Sequence, residues 1–351
     1  MKNEDRYLYI EDYFMKNFFE RDGLRYAIVG NGTWATALAK LLLNNQERIS
    51  WYVRDDEIIE QIKASGRNPY YLSTVKFDAN RLFLSSDINE VVDSADVLLF
   101  CIPSAYFLPS TSNINRSLKD KFVISAIKGM IPGDNLTIAE YFNIHFGVPF
   151  DRIGIVSGPS HAEEVAMERL SYLTLSSKHI EVARSLCDVF AYNYVKVVPG
   201  TDIYGVEYAA VLKNIYAVAA GICHALSYGD NFMAVLITSS FHEMRDFLHA
   251  SHPDPNRRTS TSAYLGDLLV TCYSQFSRNR TFGSMIGKGY SVQSVQMEMS
   301  MVAEGYYGAK CIYEINKKYG LHMPIADAVY KILYEQKYPA TVIKQLTEYL
   351  K

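Results

Sequence analysis

The chain has 351 residues, of which 49% are hydrophobic and 21% are charged, a balance that is typical of a globular protein with about two domains. The formal net charge of −3 gives no support for a nucleic-acid-binding protein or for a basic membrane-binding surface. Five cysteines stand far apart without a CxxC pair, which favours reduced thiols in a cytoplasmic protein over disulfides or a zinc site. We therefore expect no bound metal.

Neither the N-terminal residues nor the most apolar window of the chain has the pattern of a targeting or membrane-spanning segment. Polar residues interrupt the window from Ile215 to Phe241, so no membrane span is expected. The first residues mix charges of both signs and lack the apolar core of a signal peptide. Four apolar residues there share one helical stripe: Tyr7, Ile10, Phe14 and Phe18. This stripe predicts an amphipathic helix at residues 2–21, within an N-terminal extension of residues 1–24.

A glycine turn follows the first apolar run, RYAIVG. Gly30, Gly32 and Ala35 match the G-x-G-x-x-G/A pattern, and helix-forming residues follow directly. In this pattern the first glycine permits a tight turn, and the second lets the backbone approach a pyrophosphate. The third position lets the helix lie close to the strand. The N-terminus of the helix attracts the anion, so the turn predicts a dinucleotide-binding site.

Arg54 follows the second strand, Ile49 to Val53, where an NAD-specific fold usually has an acidic residue. This arginine could receive a 2′-phosphate, stack on adenine, or pair with Asp55 or Asp56 at the surface. Both NAD and NADP therefore remain open as the cofactor.

Further short apolar runs predict buried strands, because a parallel sheet that is covered on both faces has nearly continuous apolar strands. The runs are Leu82–Leu84, Val97–Ile102, Phe122–Ile127, Ile153–Ser157, Tyr172–Leu175 and Tyr194–Val198. After Pro199 the periodicity is helical. We predict an α/β fold with an N-terminal Rossmann-like domain and a mostly parallel sheet over residues 25–199. An all-α C-terminal domain is predicted over residues 200–351.

Two segments follow the carboxyl ends of predicted strands, where open α/β sheets bind their ligands. Lys128 comes directly after Phe122–Ile127 and is either a site residue or a surface lysine. Gly158 follows Ile153–Ser157, and its lack of a side chain suggests close approach of the backbone to a ligand. Ser160 and Glu163 have the spacing of a capping box, which predicts that Ser160 caps a helix.

Lys213 lies in the apolar segment YGVEYAAVLKNIYAVAAG. At the helical period, Ala210, Ala217 and Ala220 share its face, and these small residues are expected to leave room for a flat ligand. A buried lysine has a lowered pKa and can act as a general acid or base, whereas most lysines are exposed.

A polar, basic turn follows later in the chain. Arg278 can bind a phosphate through two donors, and Ser277 and Asn279 add neutral donors beside it. Asp267, which lies shortly before this turn, has the apolar sequence neighbours of a buried carboxylate. These features favour a phosphate site over the alternative of a solvated basic loop.

The motifs GNGTWATALA, AIKGM, GPSHAEE, GVEYAAVLKN, YLGDLLVTC, SRNRTFG and VAEG occur in order. Together they resemble the NAD(P)-dependent glycerol-3-phosphate dehydrogenase family over about residues 25–335, and the two-domain plan is similar to that of 6-phosphogluconate dehydrogenase. The chain departs from the family at Ala35, where glycine is usual, and at Ser239, where many members have arginine. A polar segment at residues 249–262 replaces a glycine-rich approach.

The resemblance implies reversible reduction of dihydroxyacetone phosphate to sn-glycerol 3-phosphate with NADH or NADPH, which supplies the glycerophospholipid backbone. It also implies a cytoplasmic homodimer. The implied catalytic residues are Lys213, Lys128 and Asp267. The implied cofactor-binding residues are Gly30, Gly32, Thr33, Trp34, Arg54, Lys128, Ala162, Arg278, Val302 and Glu304. The implied substrate-binding residues are Lys128, Gly158, Ser160, Lys213, Asp267, Thr271, Ser277, Arg278 and Asn279. A β-hydroxyacid dehydrogenase that acts on a carboxylate and a non-catalytic NAD(P)-binding sensor remain the alternatives.

Overall fold

The structure, a computed structural model, describes Phe18, Phe19, Arg21 and residues 23–299 and 301–350. Most of the helix that was predicted at residues 2–21 therefore lies outside the described residues. Of its apolar stripe, Phe18 is described and is buried against the sheet, and the ring of the neighbouring Phe19 lies 4.9 Å from that of Phe122.

The chain divides into two compact units, which we call the sheet unit and the helical unit. The sheet unit runs to Ile102 and also contains Tyr106–Ile127 and Ala139–Ile203. The helical unit contains the two short segments Pro103–Ala105 and Lys128–Ile138, and it continues from Tyr204 onward.

The sheet unit is built on eight strands whose side chains are mostly buried, as the apolar runs predict. The strands are β1 Tyr26–Val29, β2 Ile49–Tyr52, β3 Leu82–Ser85, β4 Val97–Phe100, β5 Phe122–Ser125, β6 Ile153–Ser157, β7 Ser171–Ser177 and β8 Val195–Gly200. Their order is 3-2-1-4-5-6-7-8, and β6 and β7 pair antiparallel while the other neighbours are parallel. The first six strands thus have the order of a Rossmann-like dinucleotide-binding sheet.

Helices accompany these strands along the chain, and two of them, α4 and α5, start in the short segments that belong to the helical unit. The helices are α1 Thr33–Asn45, α2 Asp56–Ser65, α3 Ile88–Asp93, α4 Ser104–Thr111, α5 Ile138–Phe146, α6 Ala162–Ala166 and α7 Ile180–Phe190. The inner face of α1 belongs to the core of the sheet unit, together with the apolar face of α7. Ala35 is completely buried there, which is the close packing expected at the third position of the glycine pattern.

The helical unit contains α8 Ile203–Ala225, α9 Asp230–Ser251, α10 Asp267–Tyr273, α11 Arg278–Gly287, α12 Val292–Glu298, α13 Glu304–Tyr319, α14 Pro324–Leu333 and α15 Pro339–Leu346. A turn of π-helix, Ser262–Gly266, leads directly into α10. The fold class that the sequence predicts is confirmed: a Rossmann-like sheet domain precedes a helical domain.

Helix α8 is the most deeply apolar helix described, and most of its side chains are buried. It is long and apolar enough to cross a membrane by length and composition, but its most apolar window is wholly buried in the protein, as in a core helix. Glycines let two helices approach it closely. A side chain at Gly283 on α11 would overlap the backbone carbonyl of Val218, and one at Gly305 on α13 would overlap that of Asn214.

The close packing of α8 corrects one expectation. Ala217 and Ala220, which share the helical face of Lys213, are 0% exposed, so protein atoms already cover them. The expectation that these two alanines leave room for a flat ligand is therefore wrong. Their small side chains instead suit the dense packing around α8.

Candidate functional site

The glycine turn of the sheet unit has the backbone geometry that dinucleotide binding requires. Gly30 has φ +120°, and a side chain there would lie 2.6 Å from the carbonyl oxygen of Cys101, so only glycine fits. A side chain at Gly32 would meet no atom within 4 Å in the part of the chain that the structure describes. The indole of Trp51 donates to the carbonyl of Gly30 at 2.7 Å, and Asn68 donates to the carbonyl of Asn31 at 3.0 Å. These two hydrogen bonds brace both sides of the turn.

The first turn of α1 suits a bound anion. Its N-cap is Gly32, which has no side chain that could accept a hydrogen bond from the N-terminal N–H groups. Thr33 is buried in this turn. The indole nitrogen of Trp34 is buried and finds no hydrogen-bond partner among the residues that the structure describes. A buried donor without a partner is costly, so it marks a position where a ligand oxygen would be stabilised. The residues of this turn therefore fit a dinucleotide.

The other predicted site residues of the sheet unit stand at strand ends. Arg54 is exposed just after β2. Gly158 follows β6 with φ +99°, and Ala162 is the first residue of α6. The capping box is wrong: the N-cap of α6 is His161, and the hydroxyl of Ser160 donates to the carbonyl of Gly158 at 3.0 Å. Since that hydroxyl stabilises the glycine turn after β6, it does not cap the helix.

Two lysines of the helical unit share one carboxylate. Lys213 Nζ lies 2.5 Å from Asp267 Oδ1, and Lys128 Nζ lies 3.3 Å from Asp267 Oδ2. Lys213 is only 4% exposed and Asp267 only 1%, so this is a buried ion pair. Helix α8 supplies Lys213, α10 supplies Asp267, and the segment after β5 supplies Lys128. The structure therefore brings together the three residues to which the resemblance assigns catalysis.

The environment of Lys213 lowers its pKa to about 7. Burial is the largest cause, because it removes the ammonium from water. The carboxylate of Asp267 opposes this effect, and the second ammonium, on Lys128, adds to the lowering. A lysine with this pKa exchanges a proton readily near neutral pH, which is the property that a general acid and base needs.

The start of α10 is shaped so that Asp267 points at the lysines. The π-helical turn Ser262–Gly266 comes immediately before it, and such turns are frequent at functional sites. Thr271, one turn further along α10, donates its hydroxyl to the carbonyl of Asp267 at 2.6 Å. This bond fastens the first turn of α10, and Thr271 is itself buried.

Asn214, which the sequence analysis missed, lies next to Lys213 and is 4% exposed. It donates to the carbonyl of Lys128 at 2.8 Å and accepts from Asn279 at 2.9 Å. Its position directly after Lys213 in an apolar helix was the available signal, because a buried amide needs partners of its own.

The basic turn at the start of α11 presents Arg278. Ser277 is the N-cap of α11 and accepts from the backbone N–H of Arg280 at 3.3 Å. Arg278 is exposed, and its Nη1 lies 3.6 Å from the sulfur of Met301. A thioether is a weak acceptor, so an anion can replace it as the partner of the guanidinium.

Glu304 begins α13 and binds Ser104 with both carboxylate oxygens. The backbone N–H of Ser104 donates to Oε1 at 2.8 Å, and its hydroxyl donates to Oε2. Burial raises the pKa of Glu304, whereas the Ser104 hydrogen bonds and the charge of Arg278 oppose that rise. This pair also explains the glycine after Lys128, because a side chain at Gly129 would collide with both residues. Val302 lies two residues before Glu304 and is half-buried.

The helical unit thus combines a lysine that titrates near neutrality, a second ammonium and an exposed guanidinium. Such a set can stabilise negative charge that develops on an oxygen, deliver a proton to it, and hold a remote anion. The other predicted substrate residues Gly158 and Ser160 belong to the sheet unit.

Comparison with known families covers nearly the whole chain. Residues 25–183 match the family described as NAD-dependent glycerol-3-phosphate dehydrogenase N-terminus, and residues 202–344 match the one described as NAD-dependent glycerol-3-phosphate dehydrogenase C-terminus. The glycerol-3-phosphate dehydrogenase (NAD(P)+) of Chlorobium limicola is 35% identical over 317 residues, which span 90% of this chain and 94% of that protein. The enzyme of the same name from Staphylococcus aureus is 33% identical over 326 residues, 92% of this chain and 98% of that protein.

A solved structure shares the fold over most of the chain. The crystal structure of glycerol-3-phosphate dehydrogenase from Coxiella burnetii superimposes with a TM-score of 0.84 at 27% identity. The superposition covers 93% of this chain and 99% of that protein. Because both halves match and the relatives align over nine-tenths of its length, the chain belongs to the NAD-dependent glycerol-3-phosphate dehydrogenase family.

Proposed function

We propose that the chain catalyses the reversible, NAD(P)H-dependent reduction of dihydroxyacetone phosphate to sn-glycerol 3-phosphate, which supplies the glycerophospholipid backbone. The observation that carries this proposal is the buried cluster of Lys213, Asp267 and Lys128, with a lysine pKa of about 7. Reduction of a ketone requires a proton for the new hydroxyl, and this cluster can provide one at physiological pH.

In this proposal Lys213 transfers the proton. As its carbonyl is reduced, the substrate oxygen becomes negatively charged and takes a proton from the Lys213 ammonium. In the oxidation of glycerol 3-phosphate, the neutral amine of Lys213 accepts the hydroxyl proton. The ammonium of Lys128 stabilises the developing charge, and Asp267 orients both lysines through its two oxygens.

In this proposal residues at the start of α11 bind the substrate phosphate. Arg278 can bind the phosphate through two parallel hydrogen bonds, with Ser277 and Asn279 beside it. Thr271, Gly158 and Ser160 are proposed as further substrate contacts. Binding the remote phosphate positions the reacting carbonyl, so part of the binding free energy lowers the barrier of the chemical step.

The cofactor residues are proposed from the glycine turn and the family motifs. When bound, NADH or NADPH supplies the hydride. The N-terminus of α1 with Gly30, Gly32, Thr33 and Trp34 holds the diphosphate, and Arg54 contacts the adenosine end. Four further residues are proposed to contact the cofactor: Ala162, Arg278, Val302 and Glu304. Lys128 is proposed to face both the cofactor and the substrate.

We also propose that residues 25–199 form the cofactor domain and residues 200–351 the substrate domain of a cytoplasmic homodimer. The five buried, unpaired cysteines support a reducing compartment. The homodimer rests on the family resemblance, and the mass of the purified protein in solution tests it.

Steady-state kinetics of two variants test the reaction. Lys213→Ala is expected to abolish most of kcat for dihydroxyacetone phosphate while NADH still binds, because the glycine turn is untouched. Arg278→Ala is expected to raise KM for dihydroxyacetone phosphate far more than it raises Kd for NADH. Near-normal turnover by Lys213→Ala, or equal use of dihydroxyacetone and its phosphate by the wild type, would contradict the assigned roles.

A further inference from the structure

The side chain of Asn68 is completely buried beside the glycine turn of the sheet unit, and its whole hydrogen-bonding capacity is used. Its Nδ2 donates to the carbonyl of Asn31 and to the hydroxyl of Thr36, both at 3.0 Å. Its Oδ1 accepts from the backbone N–H groups of Tyr70 and Tyr71, both at 3.2 Å. One buried amide therefore joins the glycine turn, the first turns of α1 and the loop after α2.

Three successive carbonyls of the glycine turn, at residues 30, 31 and 32, accept hydrogen bonds from completely buried side chains. The donors are, in that order, Trp51 at 2.7 Å, Asn68 at 3.0 Å and Thr36 at 3.0 Å. A trans peptide unit is planar, and its C=O and N–H groups point in opposite directions. A carbonyl that is held on the buried side therefore turns the following N–H to the other side. Successive N–H groups that point the same way form an anion-binding concavity.

Thr36 completes this arrangement from the first turns of α1. Its hydroxyl accepts from Asn68 and donates to the carbonyl of Gly32, both at 3.0 Å. The same carbonyl also accepts from the backbone N–H of Thr36 at 2.9 Å. We call the side chains of Asn68 and Thr36 the amide clamp. The clamp holds the two peptide units that lie on either side of the N-cap of α1.

The loop after α2 is rigid enough to anchor the clamp. Its two ends are joined at the carbonyl of Gly66, which accepts from the backbone N–H of Phe77 at 2.7 Å. Gly66 has φ +70°, and a side chain there would lie 2.5 Å from the carbonyl oxygen of Phe77. Arg67 donates to two carbonyls further along the loop, at 2.8 and 2.9 Å. Because this loop holds the oxygen of the Asn68 amide, the NH2 group is kept facing the glycine turn.

We infer that Asn68, together with Thr36, is a positioning residue for the cofactor, because the amide clamp turns the N–H groups of the glycine turn towards the diphosphate. This inference rests on the proposed function, in which the glycine turn holds the diphosphate. It goes beyond that function by assigning part of the affinity for the diphosphate to two side chains that are completely buried and do not touch the ligand.

The first test is the Kd of NADH and of NADPH for Asn68→Ala, measured by fluorescence titration. We expect Kd to rise about tenfold or more for the cofactor that the wild type binds, since a misdirected N–H loses a hydrogen bond to a charged group. At saturating cofactor, kcat and the KM for dihydroxyacetone phosphate should both stay within about twofold. A residue that merely stabilised the fold would not separate the cofactor from the substrate in this way.

The second test asks whether the loss is confined to the diphosphate. Thr36→Val keeps the shape of the side chain and removes its hydroxyl, whereas Thr36→Ser keeps the hydroxyl. In competition against the cofactor, Thr36→Val should bind ADP-ribose about three- to tenfold more weakly and adenosine within about twofold of the wild type. Thr36→Ser should bind both ligands almost as the wild type does. Should Asn68→Ala not fold, this pair of variants decides by the same criteria.

The matched control is Asn45→Ala, at the other end of α1. Asn45 donates to the carbonyls of Val189 and Ala191 at 3.0 and 2.8 Å, so its loss should lower Tm and leave Kd unchanged. A folded Asn68→Ala that binds the cofactor as tightly as the wild type would overturn the inference, as would equal losses for adenosine and ADP-ribose in Thr36→Val. Those outcomes refute the clamp alone, whereas a wild type that binds neither NADH nor NADPH would refute the proposed function itself.

Discussion

Removal of the charge of Asp267 is the most informative single substitution, because this charge raises the pKa of Lys213 whereas burial lowers it. Burial lowers the pKa of Lys213, and the carboxylate 2.5 Å from its ammonium holds that pKa at about 7. The variant Asp267→Asn keeps the size of the side chain and removes its charge. We therefore expect the pKa of Lys213 to fall below 7, by one unit or more.

The magnitude follows from the fraction of Lys213 that is protonated. With a pKa of about 7, half of the lysine is charged at pH 7, and a fall of about one unit leaves about one-tenth charged. Since the reduction needs the ammonium, kcat/KM at pH 7 should fall about fivefold from this effect alone. At pH 5.5 both proteins are mostly protonated, so the loss from protonation should shrink to less than about twofold.

The assay is the initial rate of NADH oxidation with dihydroxyacetone phosphate between pH 5 and pH 9, with cofactor saturating. If Lys213 is also less well oriented, kcat/KM falls by a factor that does not depend on pH. The diagnostic quantity is therefore the shift of the falling limb, which is the pH range in which kcat/KM declines as Lys213 loses its proton. A limb that stays in place, or moves to higher pH, would refute the assigned electrostatics. Asp246→Asn removes an exposed carboxylate of α9 and is the control that should leave the profile unchanged.

Three further predictions concern the same unit. Lys128→Gln should move the falling limb above pH 7, opposite to Asp267→Asn, because the Lys128 ammonium lowers the pKa of Lys213. Gly283→Ala should lower the free energy of unfolding in urea by about 1–3 kcal/mol, because the added methyl group overlaps the carbonyl of Val218. Glu243→Gln should flatten the decline of stability between about pH 5 and pH 8. Burial raises the pKa of Glu243 to about 8, although the hydrogen bonds from the N–H groups of α14 oppose that rise. The folded state therefore keeps a proton on Glu243 that the unfolded state releases above the ordinary pKa of a glutamate. Wild-type stability therefore falls as the pH rises through this window.

Each of these predictions has an outcome that contradicts it. A limb that moves below pH 7 in Lys128→Gln would mean that the two ammonium groups do not repel each other. For the glycine, Gly229→Ala is the control, since no atom of the described residues lies within 4 Å of the added methyl group. Equal effects of the two substitutions would show that the α8–α11 contact is not tight. A Glu243→Gln variant that keeps the wild-type slope would show that another group carries the pH dependence.

The sheet and the glycine turn could be predicted from the sequence, because their signals are local. Each strand is a short apolar run, and Gly30 has the positive φ that its place in the G-x-G-x-x-G/A pattern predicts. The free thiols could also be predicted, since all five cysteines are buried without disulfides. The predicted capping box failed for a reason that is equally local: the carbonyl of Gly158 competes for the Ser160 hydroxyl.

The candidate site could be predicted only in part, because its contacts join residues that lie far apart in the chain. The family resemblance named Lys213, Asp267 and Lys128, but no spacing rule reveals that both lysines reach the two oxygens of one carboxylate. Asn214 has no signal beyond its position next to Lys213, since its partners lie 86 and 65 residues away. Ser104 and Glu304, 200 residues apart, meet for the same reason.

The assigned reaction is tested most simply by the absorbance at 340 nm when the wild-type protein is given dihydroxyacetone phosphate with NADH or NADPH. We predict a steady fall in absorbance with at least one of the two cofactors, and formation of sn-glycerol 3-phosphate in equal amount. Lys213→Ala, run beside it, should bind the same cofactor and leave the absorbance almost constant. A wild type that leaves the absorbance constant with both cofactors, although it binds one of them, would show that the protein does not catalyse this reduction.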